Sequence, residues 1–163
     1  MNYYFNALLA AAAVTQEVPI DGQTGVWVKL GTTVVASGMT ISGFVLQADA
    51  ARSADVYNKG KMLDVTVVRG IVRVSNGGVI SGESVPDNAA FVRNTHVYSG
   101  GTAYAVTLGQ RGNLNVSNGG IASGVTVNSN GTLNVSSGGT ALAVTSNAGA
   151  TVNVLPGGYI EYA

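Results

Sequence analysis

The fold is decided by the stretch VSNGGIASGVTVNSNGTLN, which runs from Val116 to Asn134 and recurs along the chain with a period of 19 residues. One copy precedes it at Val97 (VYSGGTAYAVTLGQRGNLN) and another follows it at Val135 (VSSGGTALAVTSNAGATVN). A further copy begins at Val154 with VLPGGYIEYA. A unit this short cannot enclose a hydrophobic core by itself. It therefore predicts one coil of a solenoid, which buries its apolar face against neighbouring copies.

Columns of like residues appear when the copies are aligned on their first valine. The valine column extends upstream to Val74 and Val56, and more weakly to Val35, and a second apolar column stands two residues before it. Between them lies a polar column: Asp55, Arg73, His96, Asn115, Asn134 and Asn153. Such alternation is typical of a strand with one buried face, so the polar column predicts an exposed ladder and a candidate interaction face. Its asparagines can instead serve the fold alone, by hydrogen bonding along the stack.

Each copy from Val74 onward also carries two adjacent glycines at a constant distance after the valine. Glycine adopts positive φ without steric cost, so the pair predicts one tight corner in every coil. These structural turn glycines are Gly77, Gly78, Gly100, Gly101, Gly119, Gly120, Gly138, Gly139, Gly157 and Gly158. Asn130-Gly131 predicts a second corner within its own coil. Two strands and two corners per repeat predict an all-β fold, a parallel β-helix (β-solenoid) of about 5–6 coils.

The regularity of the repeat decays towards the N-terminus. We expect residues 35–163 to form the solenoid, with regular repeats from residue 97, and residues 1–34 to form an N-terminal cap or divergent segment. Phe5 to Val14 (FNALLAAAAV) reads either as a short cap helix or as the remnant of a signal peptide, although no Lys or Arg precedes it. The copy from Val74 carries about four extra residues, predicted as a loop around Pro86 to Ala90. The open strand edge of the C-terminal coil predicts docking to further repeats or to another copy of the chain.

Composition excludes several classes of protein. Only 10% of the residues are charged and the formal net charge is zero, so the positive surface of a nucleic-acid binder is missing. There is no cysteine, hence no disulfide and no thiolate site. No apolar run approaches the roughly 18 residues of a membrane span, so we expect no stable membrane insertion.

The residue types that carry catalysis or bind metals are sparse. Calcium-binding β-helices place an Asp in each turn, but the repeats from Val97 contain no Asp or Glu before Glu161. His96 is the only histidine, which leaves no multi-histidine metal site and no obvious triad. Asp55, Arg73 and His96 are the one cluster that a polysaccharide enzyme could use, and an exposed ion pair beside a solvated histidine is the simpler interpretation. We therefore predict no enzyme activity, no catalytic residue, no metal and no cofactor.

Aromatic residues leave a choice open. Trp27, Tyr98, Tyr104, Tyr159 and Tyr162 could stack on sugars. The alternative is that Trp27 packs in the N-terminal region and that Tyr159 and Tyr162 cover the last coil.

The motif GG-T-A-x-x-x-T followed by N-x-x-G-x-L-N-V-x-x-GG resembles the AIDA-type repeat of bacterial autotransporter adhesin passengers. The match is close from Val97 to Gly158 and loose from Val56 to His96. Its residues include Gly119, Gly120, Ala122, Thr126, Val127, Asn128, Gly131, Leu133, Val135, Gly138, Gly139, Thr140 and Ala141. The resemblance implies a right-handed β-helix on the bacterial cell surface or secreted from it, which works in adhesion or self-association and carries O-linked sugars on Ser or Thr.

Two other functions compete with this interpretation. The first is a structural subunit that stacks into a fibre or spike, as in a phage tail appendage or a surface filament. The second is a polysaccharide-processing β-helix. The partners expected are the chain itself, through end-to-end or edge association, or a host-surface or glycan ligand.

Overall fold

The computed structural model describes residues 17–19, 27–29, 32–35, 40–46, 53–86 and 93–163. Within these ranges the chain forms strands and tight turns and no helix, so no described helix could cross a membrane. The strands are β1 (Glu17–Pro19), β2 (Trp27–Lys29), β3 (Thr32–Val35), β4 (Thr40–Ser42), β5 (Phe44–Leu46), β6 (Ser53–Val56), β7 (Lys61–Leu63), β8 (Thr66–Val67), β9 (Gly70–Val74), β10 (Val79–Ser81), β11 (Ser84–Val85), β12 (Arg93–Val97), β13 (Thr102–Tyr104), β14 (Thr107–Leu108), β15 (Gly112–Val116), β16 (Ile121–Ser123), β17 (Thr126–Val127), β18 (Thr132–Val135), β19 (Thr140–Ser146), β20 (Thr151–Val154) and β21 (Tyr159–Tyr162).

The strands stack into one seven-stranded sheet and one fourteen-stranded sheet. The seven-stranded sheet, termed sheet 1, has the order β20-β18-β15-β12-β9-β6-β3. The fourteen-stranded sheet bends within β19 and so has two halves, termed sheet 2 and sheet 3, which share that strand. Sheet 2 comprises β4, β7, β10, β13, β16, the start of β19, and β21; sheet 3 comprises β2, β5, β8, β11, β14, β17 and the end of β19. All pairings in these stacks are parallel, and among the described strands only β1 pairs antiparallel, with β2.

The valine column of the sequence is a ladder in sheet 1. Val35 pairs with Val56, and the ladder continues in register through Val74, Val97, Val116, Val135 and Val154. The prediction of an all-β parallel β-solenoid of about six coils is thereby confirmed. The predicted boundary between residues 34 and 35 falls inside β3, and the segment read as a cap helix or signal remnant, residues 5–14, lies outside the described residues.

Each coil has three strands and three corners, where the sequence predicted two of each. The corner that was missed divides the segment after the glycine pair. In the coil that begins at Val116, Gly124 turns it with a φ of 67°, between β16 and β17. In the neighbouring coils Ala105 and Ala143 turn the same corner at 49° and 48°, so no glycine column marks it.

The two glycines of each pair perform different tasks. Gly119 has a φ of 70°, in the left-handed region that favours glycine. Gly120 has no such φ, but a Cβ atom there would lie 2.4 Å from the carbonyl oxygen of Val97 in the preceding coil. The first glycine therefore allows the corner to turn, and the second allows successive coils to stack closely.

The interior is a set of apolar columns parallel to the solenoid axis. Ala122, Val125, Val127, Leu133 and Val135 are all fully buried. Each buried Val or Leu contributes roughly 1.5–3 kcal/mol, and only the coils above and below provide that burial.

The extra residues of the sequence lie at one corner. Val85 pairs with Leu108, and Arg93 pairs with Gly112. The second paired residue therefore follows the first by 93 − 85 = 8 positions in this coil and by 112 − 108 = 4 positions in the next. The four additional residues lie between Val85 and Arg93, where residues 87–92 are outside the described part of the chain. The predicted loop at Pro86 to Ala90 therefore falls mostly on residues whose structure is not described.

Candidate interaction faces

The polar column of the sequence forms one continuous ladder on the outer surface of sheet 1. Asp55, Arg73, His96, Asn115, Asn134 and Asn153 pair in succession, each with the next. At its N-terminal end, Nη1 of Arg73 donates to Oδ1 of Asp55 at 3.1 Å, and both side chains are partly exposed. An ion pair this accessible to water is typically worth less than about 1 kcal/mol.

The asparagines of this ladder bind one another. Nδ2 of Asn134 donates to Oδ1 of Asn115 at 2.9 Å, and Nδ2 of Asn153 donates to Oδ1 of Asn134 at 2.8 Å. A contact of the same kind joins Asn113 to Asn94 at 3.0 Å, two residues before the ladder residues of β12 and β15. Each hydrogen bond contributes roughly 0.5–1.5 kcal/mol. The ladder therefore stabilises the stack, and these amide groups are engaged along it.

His96 stands where the charged part of the ladder meets the asparagines. Its ring stacks on that of Tyr98, with the centroids 5.8 Å apart and the planes 8° from parallel. Burial lowers the pKa of His96 below its usual value, and the nearby positive charge of Arg73 lowers it further. The neutral imidazole is therefore the form that the folded chain favours.

Replacing His96 with asparagine, the residue of the next coil, should remove a loss of stability in acid. The pKa of His96 in the folded state lies below the unfolded value of about 6.5. The fold is therefore fully stable with respect to His96 above pH 6.5, and it loses stability as pH falls through the folded-state pKa. We expect the change in thermal midpoint from pH 7.5 to pH 5 to be less favourable in the natural chain than in His96→Asn, which shares every other titrating group. Equal changes in both proteins would show that the histidine does not titrate in this way.

The geometry does not assemble a hydrolytic centre around Asp55. Arg73 binds the carboxylate, and the next residue in register is the histidine that favours its neutral form. Within the described ranges, no three His, Asp or Glu side chains lie together in a way that would hold a metal ion.

Sequence reasoning missed a group of buried polar residues in the coil that runs from Val74 to His96, termed the Val74 coil. Glu83, Arg93 and Thr95 are each 1% exposed. The hydroxyl of Thr95 donates to Oε1 of Glu83, and Arg93 donates from Nε to the carbonyl of Val68 at 2.7 Å and from Nη1 to that of Gln110 at 2.8 Å. The signal was present in the sequence, because Thr95 interrupts an apolar column and Glu83 stands where the coils on either side have Val65 and Val106.

The outer surface of sheet 2 carries exposed apolar side chains, including Tyr104, Ile121 and Tyr159. Two of its columns point outward, flanking a buried middle column. One reads Lys61, Val79, Thr102, Ile121, Thr140, Tyr159, and the other reads Leu63, Ser81, Tyr104, Ser123, Leu142. From Val79 to Leu142 every coil presents one apolar side chain and one small hydroxyl side chain. The apolar side chain stands in the first column in one coil and in the second column in the next.

Several of these side chains are well exposed. Tyr104 and Ile121 are 47% and 42% accessible, and Tyr159 and Tyr162 are 55% and 56% accessible. Tyr162 pairs in register with the buried Val144, and the alternative that it and Tyr159 cover the last coil stays a prediction. Sheet 3, by contrast, presents a single outward column, which consists of hydroxyl residues from Thr66 onward, with Ser84, Thr107 and Thr126 in register.

Similarity to known proteins is found among solved structures and not among family models or curated sequences. No protein-family model matches the chain, and no curated protein has a similar sequence. The resemblance to AIDA-type repeats therefore stays a prediction, and the proposals below rest on the geometry of this chain. Among solved structures, the chain is similar to the TibC-catalysed, hyper-glycosylated fragment of TibA, with a TM-score of 0.41 and 20% identity, over 82% of this chain and 68% of that one.

Proposed function

We propose that the chain is a non-catalytic, surface-displayed repeat module for adhesion or self-association, and that the outer surface of sheet 2 is its binding face. The observation that supports this is the alternation of large apolar and small hydroxyl side chains on that face. On sheet 1 the asparagine amides bind one another along the ladder. Apolar surface left in water is the part of an exterior most suited to association.

The alternation makes the face complementary to itself. Two copies packed face to face with opposed axes bring Ile121 over Thr102 of the second copy. The same rotation brings Tyr104 over Ser123 and Leu142 over Ser81 of the second copy. Large side chains thus meet small ones from Val79 to Leu142, as interdigitating layers require, and the two-fold symmetry is that of an isologous dimer.

The charges on this face favour opposed over parallel axes. Lys61 lies near one end of the outward columns, next to Thr40 of β4, and the alternation in β21 places Glu161 at the other end. Opposed axes bring Lys61 of one copy to the end that carries Glu161 of the second copy. Parallel axes would bring like charges together at both ends, which costs association free energy.

The size of the face predicts weak association. Six coils about 4.8 Å apart and strands of three residues, about 10 Å long, give a strip of roughly 300 Å². A stable interface needs about 800 Å² from each partner. A weak contact of this kind becomes effective when many copies are displayed together on a surface, as the proposal requires.

The double substitution Tyr104→Ser with Ile121→Thr should weaken association by at least about tenfold, because it removes apolar contacts from both halves of a two-fold interface. Ser and Thr already occupy these positions in adjacent coils, so we expect the fold to persist. Sedimentation equilibrium over a range of concentrations measures the change. Thr107→Ser on sheet 3, where Ser84 stands one coil earlier, is the matched control and should leave association unchanged.

Charge exchange tests the orientation. Lys61→Glu should weaken association, and adding Glu161→Lys should restore it. Association that survives Tyr104→Ser with Ile121→Thr would instead support end-to-end stacking into a fibre. A chain that stays monomeric but retains glycans on an array would favour adhesion to a sugar ligand.

A further inference from the structure

Glu83 is a buried carboxyl group in an otherwise apolar column. It occupies the inward position that Val65 holds in the coil before it and Val106 in the coil after it, and all three residues are at most 1% exposed. Among the described residues, Oε1 of Glu83 accepts a hydrogen bond from Thr95, and Oε2 is buried with no partner. An ionised carboxylate with one oxygen unsatisfied is costly in such a place, whereas a protonated carboxyl is far cheaper.

The carboxyl and its partner are a matched pair. Thr95 also replaces an apolar residue, because Val72 and Leu114 flank it in register in sheet 1. Both replacements fall in the Val74 coil, the coil that carries the four additional residues. The paired exchange indicates a built polar contact across the interior of this one coil.

We propose that the Glu83–Thr95 pair makes the Val74 coil a proton-controlled weak point in the solenoid, closed when Glu83 carries a proton and opening locally when it is ionised. This inference goes beyond the proposed binding face and does not depend on it. The backbone at Glu83 links three coils, because Ser84 N–H donates to the Val65 carbonyl at 2.7 Å and Thr107 N–H donates to the Glu83 carbonyl at 2.8 Å. Opening at this corner therefore frees both amides.

In the described part of the chain, no charged side chain bonds to Glu83. From the opposite strand Arg93 faces the interior, and its Nε and Nη1 donate to carbonyls of the adjoining coils. Arg73 and His96 point outward from the strands of sheet 1, and Asp64 is exposed at the corner of the preceding coil. Burial raises the pKa of Glu83 from 4.5 to about 7, although the Thr95 hydrogen bond lowers it somewhat.

Ionisation of Glu83 therefore destabilises the closed coil as pH rises. A carboxyl whose pKa is higher in the closed coil than in the open one stabilises the closed coil fully below pH 4.5. This stability is lost as pH rises to about 7 and does not change further above it. The ratio of open to closed coils should rise on the order of a hundredfold across this window.

Hydrogen exchange at single amides is the test, carried out on a His96→Asn background so that the histidine does not oppose the effect. We expect protection factors at Ser84 and Thr107 to fall on the order of a hundredfold between pH 4.5 and pH 8. Thr126 and Thr145 make the equivalent hydrogen bonds two and three coils later, both at 2.8 Å, and should keep their protection. Glu83→Gln should abolish the fall at Ser84 and Thr107, and so should Glu83→Val, which copies the neighbouring coils.

Thr95→Val is a second, independent readout. Without the hydroxyl that favours the ionised form, the midpoint of the fall should move to higher pH. The proposal is overturned if Glu83→Gln keeps the pH dependence of the natural chain. It is also overturned if all four amides lose protection together, because that would be unfolding of the whole solenoid.

Discussion

Gly120→Ala should lower the free energy of unfolding by about 3–4 kcal/mol, although it adds a single methyl group. A Cβ atom at Gly120 would lie 2.4 Å from the carbonyl oxygen of Val97 and 3.1 Å from that of Ser117. The Val97 carbonyl also accepts the Ser117 amide at 2.9 Å. Relieving the clash must therefore separate two coils at a corner where their backbones are hydrogen bonded. Urea denaturation followed by far-ultraviolet circular dichroism measures the loss.

Gly124→Ala is the matched control, because it adds the same methyl group in the same coil. Gly124 has a φ of 67°, but the nearest atom to its Cβ would be the Ala105 nitrogen at 3.6 Å. Alanines already adopt this conformation at Ala105 and Ala143. We expect a cost of about 1 kcal/mol, which is the strain of a left-handed non-glycine residue. Equal losses in the two variants would show that the contact between coils is not what requires Gly120.

Arg93→Met should destabilise the solenoid by about 3–5 kcal/mol, since each hydrogen bond from a buried guanidinium is worth about 1.5–3 kcal/mol. Nε and Nη1 of Arg93 bind carbonyls in the preceding and the following coil, at 2.7 and 2.8 Å. Methionine keeps most of the apolar length of the side chain and cannot donate to either carbonyl. The loss should appear in urea denaturation and as faster hydrogen exchange in β12.

Arg111→Met is the control for this substitution. Arg111 is exposed at the next corner of the stack, with its side chain in solvent. Its replacement should change stability by less than about 0.5 kcal/mol. If Arg93→Met were as stable as Arg111→Met, the buried guanidinium would not be holding the three coils together.

The register of the stacked strands could be predicted from the sequence of this protein. In a solenoid a step of one repeat along the chain is a step to the adjacent strand. Alignment of the copies therefore predicts the contacts directly, and the ladder from Asp55 to Asn153 forms in that order. The irregular Val74 coil keeps its place because the additional residues are confined between Val85 and Arg93.

Other features had no signature in a single sequence. The corner at Gly124 was missed because alanine turns it in adjacent coils, and alanine is common in strands and helices alike. The alternation on sheet 2 was missed because it repeats every two coils, so alignment on one repeat places unlike residues such as Tyr104 and Ser123 in one column. Whether these residues point outward depends on where the missed corner bends the chain.

By itself the sequence determined the period, the parallel stacking, the glycine corners and the polar ladder, because each of these follows from identical residues recurring at a constant spacing. Only the tertiary structure decided the third strand of each coil, the burial of Glu83 with Thr95, and the face on which the apolar side chains collect. The physical reason is that burial and direction depend on which atoms surround a side chain. A polar residue in an apolar column is exposed or enclosed according to the strand that lies across the interior from it.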